Sequence, residues 1–522
     1  MFDGGFTRRL LGLSLLAAAA CAGAAHPAGG HEAPAAAAAS PGAPDRAWSD
    51  DILYFVLVDR FADGDPGNDA DVDRSAPGTF HGGDLKGLVA QIDEIASLGV
   101  TALWVNPLVR NVPRYVTGAG FPDWAYHGYW SDDFSRLDSR FGTEEDLATL
   151  VRECHRRGMK VLLDVVYNHA GYGTHYLADP RTRDWLRSTE RGGCGDDDLT
   201  QCVAGLPDWK TERAEVAEWL LAQQLRWAER HRLDGFRLDT VKHVGHPFWQ
   251  EHRRRARAAL GPRFFLLGEV WGGDREVLDP YFEADELDAG FDFTFQGSAV
   301  AFVQGRGRAV AFDRYLASRE RVRPGHLLAH YLSSHDVPGA LFQLGGDRDL
   351  FRLAAVLQLT AAGLPVVYYG EEVARAGGDW PENRSDMPWG GRAILPGAGH
   401  PRDEAMRDFY RRLIAIRRAH PALRRGRHQA IATDGDLYVF MRRDPGARDT
   451  VVVAVNRGAI PAEASFPAPA DWQGSSARDL LGGGEVASRD GRARIAVPAR
   501  QARVMGVPRD DRQITSRGSA PN

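Results

Sequence analysis

Four carboxylates sit in four short motifs along the chain: Asp164 in "DVVYNH", Asp239 in "GFRLDTVKH", Glu269 in "GEVW" and Asp336 in "YLSSHD". Each motif starts apolar and turns polar, as a buried strand does when it opens into a loop. Arg237 and Asp239 are two apart, so on a strand they point to one side. Alone, that pair reads as a buried structural ion pair. Four carboxylates meeting at one place cannot all ionise cheaply. One then rises in pKa to act as a general acid while another stays ionised, the division of labour that glycoside hydrolysis uses.

The elements that must position these residues follow from periodicity. Eight apolar runs read as strands: 52–58, 100–105, 160–166, 233–238, 263–270, 290–295, 327–333 and 365–370. Near-continuous apolar runs fit a parallel sheet covered on both faces. Helical patterns separate them. Leu88, Ile92 and Ile95 repeat at helical spacing, and Thr143 is an N-cap followed by three acids, with Gly158 past the helix end. Strand and helix in eightfold alternation predict an α/β fold, a (β/α)8 TIM barrel over 47–420, whose chemistry lies at the C-terminal strand ends. The segment 170–208 reads as an inserted subdomain after the third strand. From 421 to 508 the pattern shortens to an antiparallel β-sandwich, and 509–522 is a polar tail expected to be disordered.

Composition adds bounds. The chain has 522 residues, a formal net charge of −6 and no basic stripe, so a nucleic-acid partner is not expected. Arg8 and Arg9 lead into an apolar run ending in small residues, which predicts an export signal over 1–25, with a flexible linker at 26–46. The run is too short for a stable membrane span. Cys21 follows a run of alanines and is a candidate lipid-attachment cysteine, though no Leu stands three residues before it. The predicted location is periplasmic or extracellular, and the chain is expected to be a monomer. Cys194 and Cys202 are predicted to close a small loop as a disulfide in an oxidising compartment. Cys154 shares a helical face with Leu147, Leu150 and Val151 and reads as a buried free thiol.

On these motifs the chain resembles the α-amylase family, glycoside hydrolase family 13. "GVTALWVNP" (99–107), "LPDWK" (206–210) and "GLPVVYYGEE" (363–372) extend the resemblance over about 50–505. The resemblance implies Asp239 as nucleophile, Glu269 as acid and base, and Asp336 as the group that orients the sugar. It implies that Arg237 keeps Asp239 ionised, that His169 and His335 donate hydrogen bonds to the same sugar, and that Tyr129 stacks beneath it. Asp164 would support the site, and Lys242 and His243 would contact the leaving side. A retaining enzyme would hold Asp239 and Glu269 roughly 5–5.5 Å apart.

The loop "DRFADGDPGND" (59–69) is dense in hard oxygen ligands, which suit Ca²⁺, although such a run is also an ordinary solvated loop. It is similar to a calcium loop of cyclodextrin glucanotransferases and related amylases. The resemblance implies Asp63, Asp65, Asn68, Asp69, the Gly82 carbonyl and Asp84 as ligands. A second calcium would take Asn168, Asp208 and the His243 carbonyl. Chloride is not expected, since Ser334 stands where chloride-dependent members carry Asn. The expected substrate is an α-1,4-glucan such as starch or maltooligosaccharides, cleaved internally. The alternative is a cyclomaltodextrinase, neopullulanase-type hydrolase or glucanotransferase, towards which "LSSHDV" and "PENRSDMPW" (381–389) lean. Loss of a catalytic carboxylate would mark a non-catalytic glucan-binding protein, and Asp239, Glu269 and Asp336 are all present.

Overall fold

The computed structural model describes residues 46–117, 122–473 and 476–509. All eight apolar runs become strands: β1 (Leu53–Val56), β2 (Ala102–Val105), β3 (Lys160–Val165), β4 (Gly235–Leu238), β5 (Phe265–Gly268), β6 (Ala289–Phe291), β7 (Leu327–Tyr331) and β8 (Leu364–Tyr368). They pair in parallel, each with its sequence neighbours, and β8 closes on β1 to complete a barrel. Nearly every strand residue is buried, as uninterrupted apolar runs require. The sixth run is shorter than expected. The strand stops at Phe291 because Asp292 accepts the Thr294 N–H at 3.1 Å and turns the chain into the helix Thr294–Val303.

The helices return along the outside. Thr143 caps Glu144–Arg156 in a reciprocal box with Asp146, and Leu147, Leu150, Val151 and Cys154 are all buried. The helical stretch that carries Leu88, Ile92 and Ile95 is broken in two at Gln91, into Leu85–Ala90 and Ile92–Leu98, yet the three keep their buried face. Cys154 is a buried free thiol.

Two excursions rise from the C-terminal strand ends. The first, between β2 and its helix, carries a hairpin of Val109–Asn111 with Ser131–Leu137. The second is the predicted insertion after β3. It holds short turns, a two-residue pairing of Leu186–Arg187 with Asp208–Trp209, and the disulfide Cys194–Cys202.

The C-terminal part is an antiparallel pair of sheets with five and three strands. Its strand Leu437–Asp444 alternates. Tyr438 and Phe440 join the core shared with the barrel, while Leu437 and Val439 join the core between the two sheets. The export signal, Cys21 and nearly all of the C-terminal tail lie outside the described residues. Among those described, no helix is long and apolar enough to cross a membrane.

Candidate active site

One guanidinium organises the barrel mouth. Register places Arg237 on β4 directly beside Asp164 on β3. Arg237 is 1% exposed. Its Nη1 reaches Asp239 Oδ1 at 2.7 Å and Asp164 Oδ1 at 3.0 Å, and its Nη2 reaches Glu269 Oε1 at 2.9 Å. Asp164 also accepts from the Tyr129 hydroxyl at 2.8 Å and the Trp104 indole N–H at 3.2 Å. Phe55 stacks on Trp104 with ring centroids 3.7 Å apart.

Glu269 follows β5 by one residue, and its Oε2 accepts the Thr240 N–H at 2.9 Å. Thr240 has a left-handed backbone, φ 47°, unusual for a β-branched residue. That turn aims its amide at Glu269 while its hydroxyl donates to Asp239 Oδ2 at 3.1 Å. Sequence reasoning passed over Thr240, because nothing in its residue type announces positive φ.

Three carboxylates thus share one cation. Burial, and then the nearby Asp239 and Asp336, push Glu269 up to about 8 against the pull of Arg237. Burial likewise lifts Asp164 to about 7, although Arg237 opposes it. Glu269 therefore holds a proton at neutral pH.

Asp336 stands on the other side, after β7. Its carboxylate meets His335 Nε2 at 3.2 Å and Arg384 Nη2 at 3.3 Å, and Arg384 Nε donates to the His335 carbonyl. Arg384 falls within "PENRSDMPW", a stretch read only as a subgroup marker. Burial drives His335 well below its ordinary pKa and lowers His169 too, so both imidazoles are neutral donors. The His335 Nδ1 is buried without a hydrogen-bond partner, while His169 Nε2 meets the Tyr129 carbonyl at 3.2 Å. The Tyr129 ring stacks on His335 with centroids 5.3 Å apart. Gly128 permits this: its φ is +89°, and a Cβ there would lie 2.1 Å from the Pro107 carbonyl oxygen.

Above this floor opens a cleft of about 570 Å³, lined by Tyr129, His169, Asp239, Glu269, His243 and Asp336 among others. Trp271 and Trp380 also line it, 49% and 36% exposed. Lys242 is not in the lining. Its ammonium faces Asp198 Oδ1 at 3.7 Å, and His243 Nδ1 meets the Asp198 carbonyl at 2.8 Å. Asp198 lies between Cys194 and Cys202, so the disulfide loop braces this pair from above.

The two predicted calcium sets differ. In the first, Asp63 Oδ1, Asn68 Oδ1 and Asp69 Oδ1 are buried without hydrogen-bond partners. Arg74 holds the other oxygens of Asp63 and Asp69, Lys86 holds Asp65, and Asp84 caps the helix Leu85–Ala90. Four carboxylates against two cations leave the loop net negative, so the orphaned oxygens fit a hard divalent cation. In the second set, the Asn168 side chain lies 3.2 Å from Asp208 Oδ1 and 3.0 Å from the His243 carbonyl. Turning that amide satisfies both without an ion, and Arg187 already pairs with Asp208 at 2.7 Å. Among the described residues, no three His, Cys, Asp or Glu side chains gather as a metal cage.

The α-amylase catalytic-domain model matches residues 55–192 and 196–407. The chain belongs to the α-amylase family. It is a glycoside hydrolase of that family. A cyclomaltodextrinase from Geobacillus thermopakistaniensis (strain MAS1) is 30% identical over 488 residues, covering 87% of this chain and 76% of the relative. A periplasmic α-amylase from Escherichia coli (strain K12) is 31% identical over 443 residues, covering 66% of this chain and 64% of the relative. The crystal structure of an Anoxybacillus α-amylase superposes with a TM-score of 0.78 at 31% identity, covering 89% of this chain and all of that one.

For this α-amylase-family site, the protonation of Glu269 sets an alkaline limit. Glycoside hydrolysis should fall as pH rises through about 8, as the carboxyl that burial holds protonated ionises. A pH–kcat profile checks this; a rate unchanged to well above that pH rules Glu269 out as the acid.

Proposed function

We propose that the chain is a retaining α-amylase that cleaves internal α-1,4 bonds of starch and maltooligosaccharides. The observation that carries this reading is the single Arg237 fork gripping both Asp239 and Glu269. Two carboxylates held by one guanidinium suit the short separation of a retaining pair better than the wider gap that must admit a water.

Asp239 attacks the anomeric carbon while Glu269 gives its proton to the leaving oxygen. A covalent glycosyl–Asp239 ester forms as the glycosidic bond breaks. Glu269, now ionised, takes a proton from water, and the hydroxide oxygen displaces Asp239. That proton leaves Glu269 protonated as at the start, and the product keeps its α configuration. Arg237 holds Asp239 Oδ1 at 2.7 Å between steps, and Thr240 orients both groups. Asp336, His169 and His335 bind hydroxyls of the reacting sugar, with Tyr129 as its stacking face. Trp271 and Trp380 offer further rings at the rim. Replacing Asp239 by Asn should cost ~10⁴-fold or more in kcat with an unchanged melting curve. Activity near that of the native chain would remove the nucleophile assignment.

The second reading is a cyclomaltodextrinase or neopullulanase-type hydrolase, favoured by the likeness to the Geobacillus cyclomaltodextrinase. Comparing rates on soluble starch, β-cyclodextrin and pullulan separates the two. The α-amylase reading expects starch to be cleaved fastest and α-anomers to appear first in the NMR spectrum. Faster opening of cyclodextrin, or panose from pullulan, selects the second reading. Initial β-anomers would overturn retention in either.

We also propose one structural calcium, held by Asp63, Asn68, Asp69 and the Gly82 carbonyl, with Asp65 and Asp84 kept for helix and loop contacts. The second set is left out of this proposal, since Arg187 pairs with Asp208 and a turned Asn168 amide would satisfy its neighbours without an ion. A bound ion favours the folded state, so a chelator should lower Tm by several degrees. Elemental analysis should give one calcium per chain. Two would restore the Asn168, Asp208 and His243 set, and none would discard the first. Export to the periplasm or beyond fits the N-terminal reading and a disulfide in the inserted loop.

A further inference from the structure

A second cavity opens at the opposite end of the barrel. It lies where the N-terminal ends of β7 and β8 meet residues 424–427 and the strand Leu437–Asp444. Its volume is about 550 Å³. Six arginines line it: Arg319, Arg321, Arg424, Arg425, Arg427 and Arg442. Glu320 is the one acidic residue in the lining.

The charges form two tiers. Arg319, Arg424 and Arg442 are buried at the floor, while Arg321, Arg425 and Arg427 are exposed at the mouth. Arg417 lies against this floor, fully buried, and donates only to the backbone carbonyls of Leu359, Ala361, Leu423 and Gly363. Its Nε has no hydrogen-bond partner. Burial, then Arg442 and Arg424, weaken its hold on its proton, the mark of like charges crowded together.

Counter-charges fall short. Asp292 pairs with Arg319 at 2.6 Å, Glu320 with Arg442 at 2.8 Å, and Asp50 with Arg424 and Arg425 at 3.1 and 3.5 Å. Leaving Arg424 aside, three carboxylates among the described residues face six guanidiniums. Among the described residues, no ion pair reaches Arg321 or Arg427. Buried cations in such excess are costly unless an anion joins them. A neutral glucan has no charge to offer, so this end of the barrel answers to different chemistry from the cleft.

We propose that this cavity binds a phosphate dianion, free or carried on a small sugar, with Arg442 as a floor donor and Arg321 and Arg427 closing on it from the mouth. Guanidinium forks match two phosphate oxygens at once, and a dianion removes more of the excess than chloride does. The volume admits a phosphorylated monosaccharide as well as the bare ion.

The test uses the full chain with its calcium. Melting is followed in inorganic phosphate, in glucose 6-phosphate and in sodium chloride of equal ionic strength. Saturating phosphate should raise Tm by about 2–3 °C over the chloride control. The double variant Arg321→Gln/Arg427→Gln should lose that increment and keep its rate on starch, since both residues lie at the barrel end away from the cleft. Saturation by glucose 6-phosphate at lower concentration than phosphate identifies a sugar-borne ligand, and the reverse order identifies the free ion. An increment that chloride reproduces, or that survives in the double variant, overturns the proposal.

Discussion

Arg237 is one buried cation that three carboxylates need at once. Without it, Asp164, Asp239 and Glu269 would crowd in a dry floor, and their cheapest escape would be to take up protons. With it, one carboxylate can stay charged while Glu269 remains protonated. Much of the local structure serves this balance. The β3–β4 register sets Asp164 beside the guanidinium. Trp104 and Tyr129 hold Asp164 from two further sides, and Phe55 stacks on Trp104 behind it. In low dielectric each of these contacts is stronger than at a surface, and each is more costly to lose.

The floor and the rim are built on different principles. Arg237, Asp164, Asp239 and Glu269 stand on strands or one residue beyond them, where neighbouring strands on both sides fix their direction. Rim residues come from loops and need other restraints. Arg384 ties its loop to both the His335 carbonyl and Asp336. The disulfide loop reaches over Lys242 and His243 through Asp198. Specificity among relatives of this fold lies in such loops, so the floor alone does not separate an amylase from a cyclodextrin-opening enzyme.

How far the sequence could be read follows from this division. The eight strands and the four motif carboxylates were legible because apolar runs and residue types carry that information directly. So was the buried face of Cys154 with Leu147 and Leu150, a matter of helical period. Thr240 was not legible, because its role depends on a left-handed backbone that its residue type disfavours. Arg384 was not, since its partners lie 48 and 49 residues away in sequence. For Lys242 the spacing after Asp239 was visible, but the Asp198 carboxylate that its ammonium faces lies in an insertion with no periodic pattern. The arginine cavity was hidden for a similar reason, because a chain of net charge −6 gives no sign that its arginines gather at one seam.

The two barrel ends thus differ in their ionisable groups: carboxyl groups outnumber guanidiniums around Arg237, and guanidiniums outnumber carboxylates at the seam. A neutral sugar acquires positive charge as its glycosidic bond breaks. A floor with more carboxylate than guanidinium favours that charge only as it develops, so it acts on the transition state more than on the bound glucan. A second arginine beside Asp239 would hold that carboxyl group more firmly but would also oppose a cationic sugar. A single guanidinium shared three ways is the compromise: it partners all three carboxylates yet places no second positive charge where a sugar cation would form.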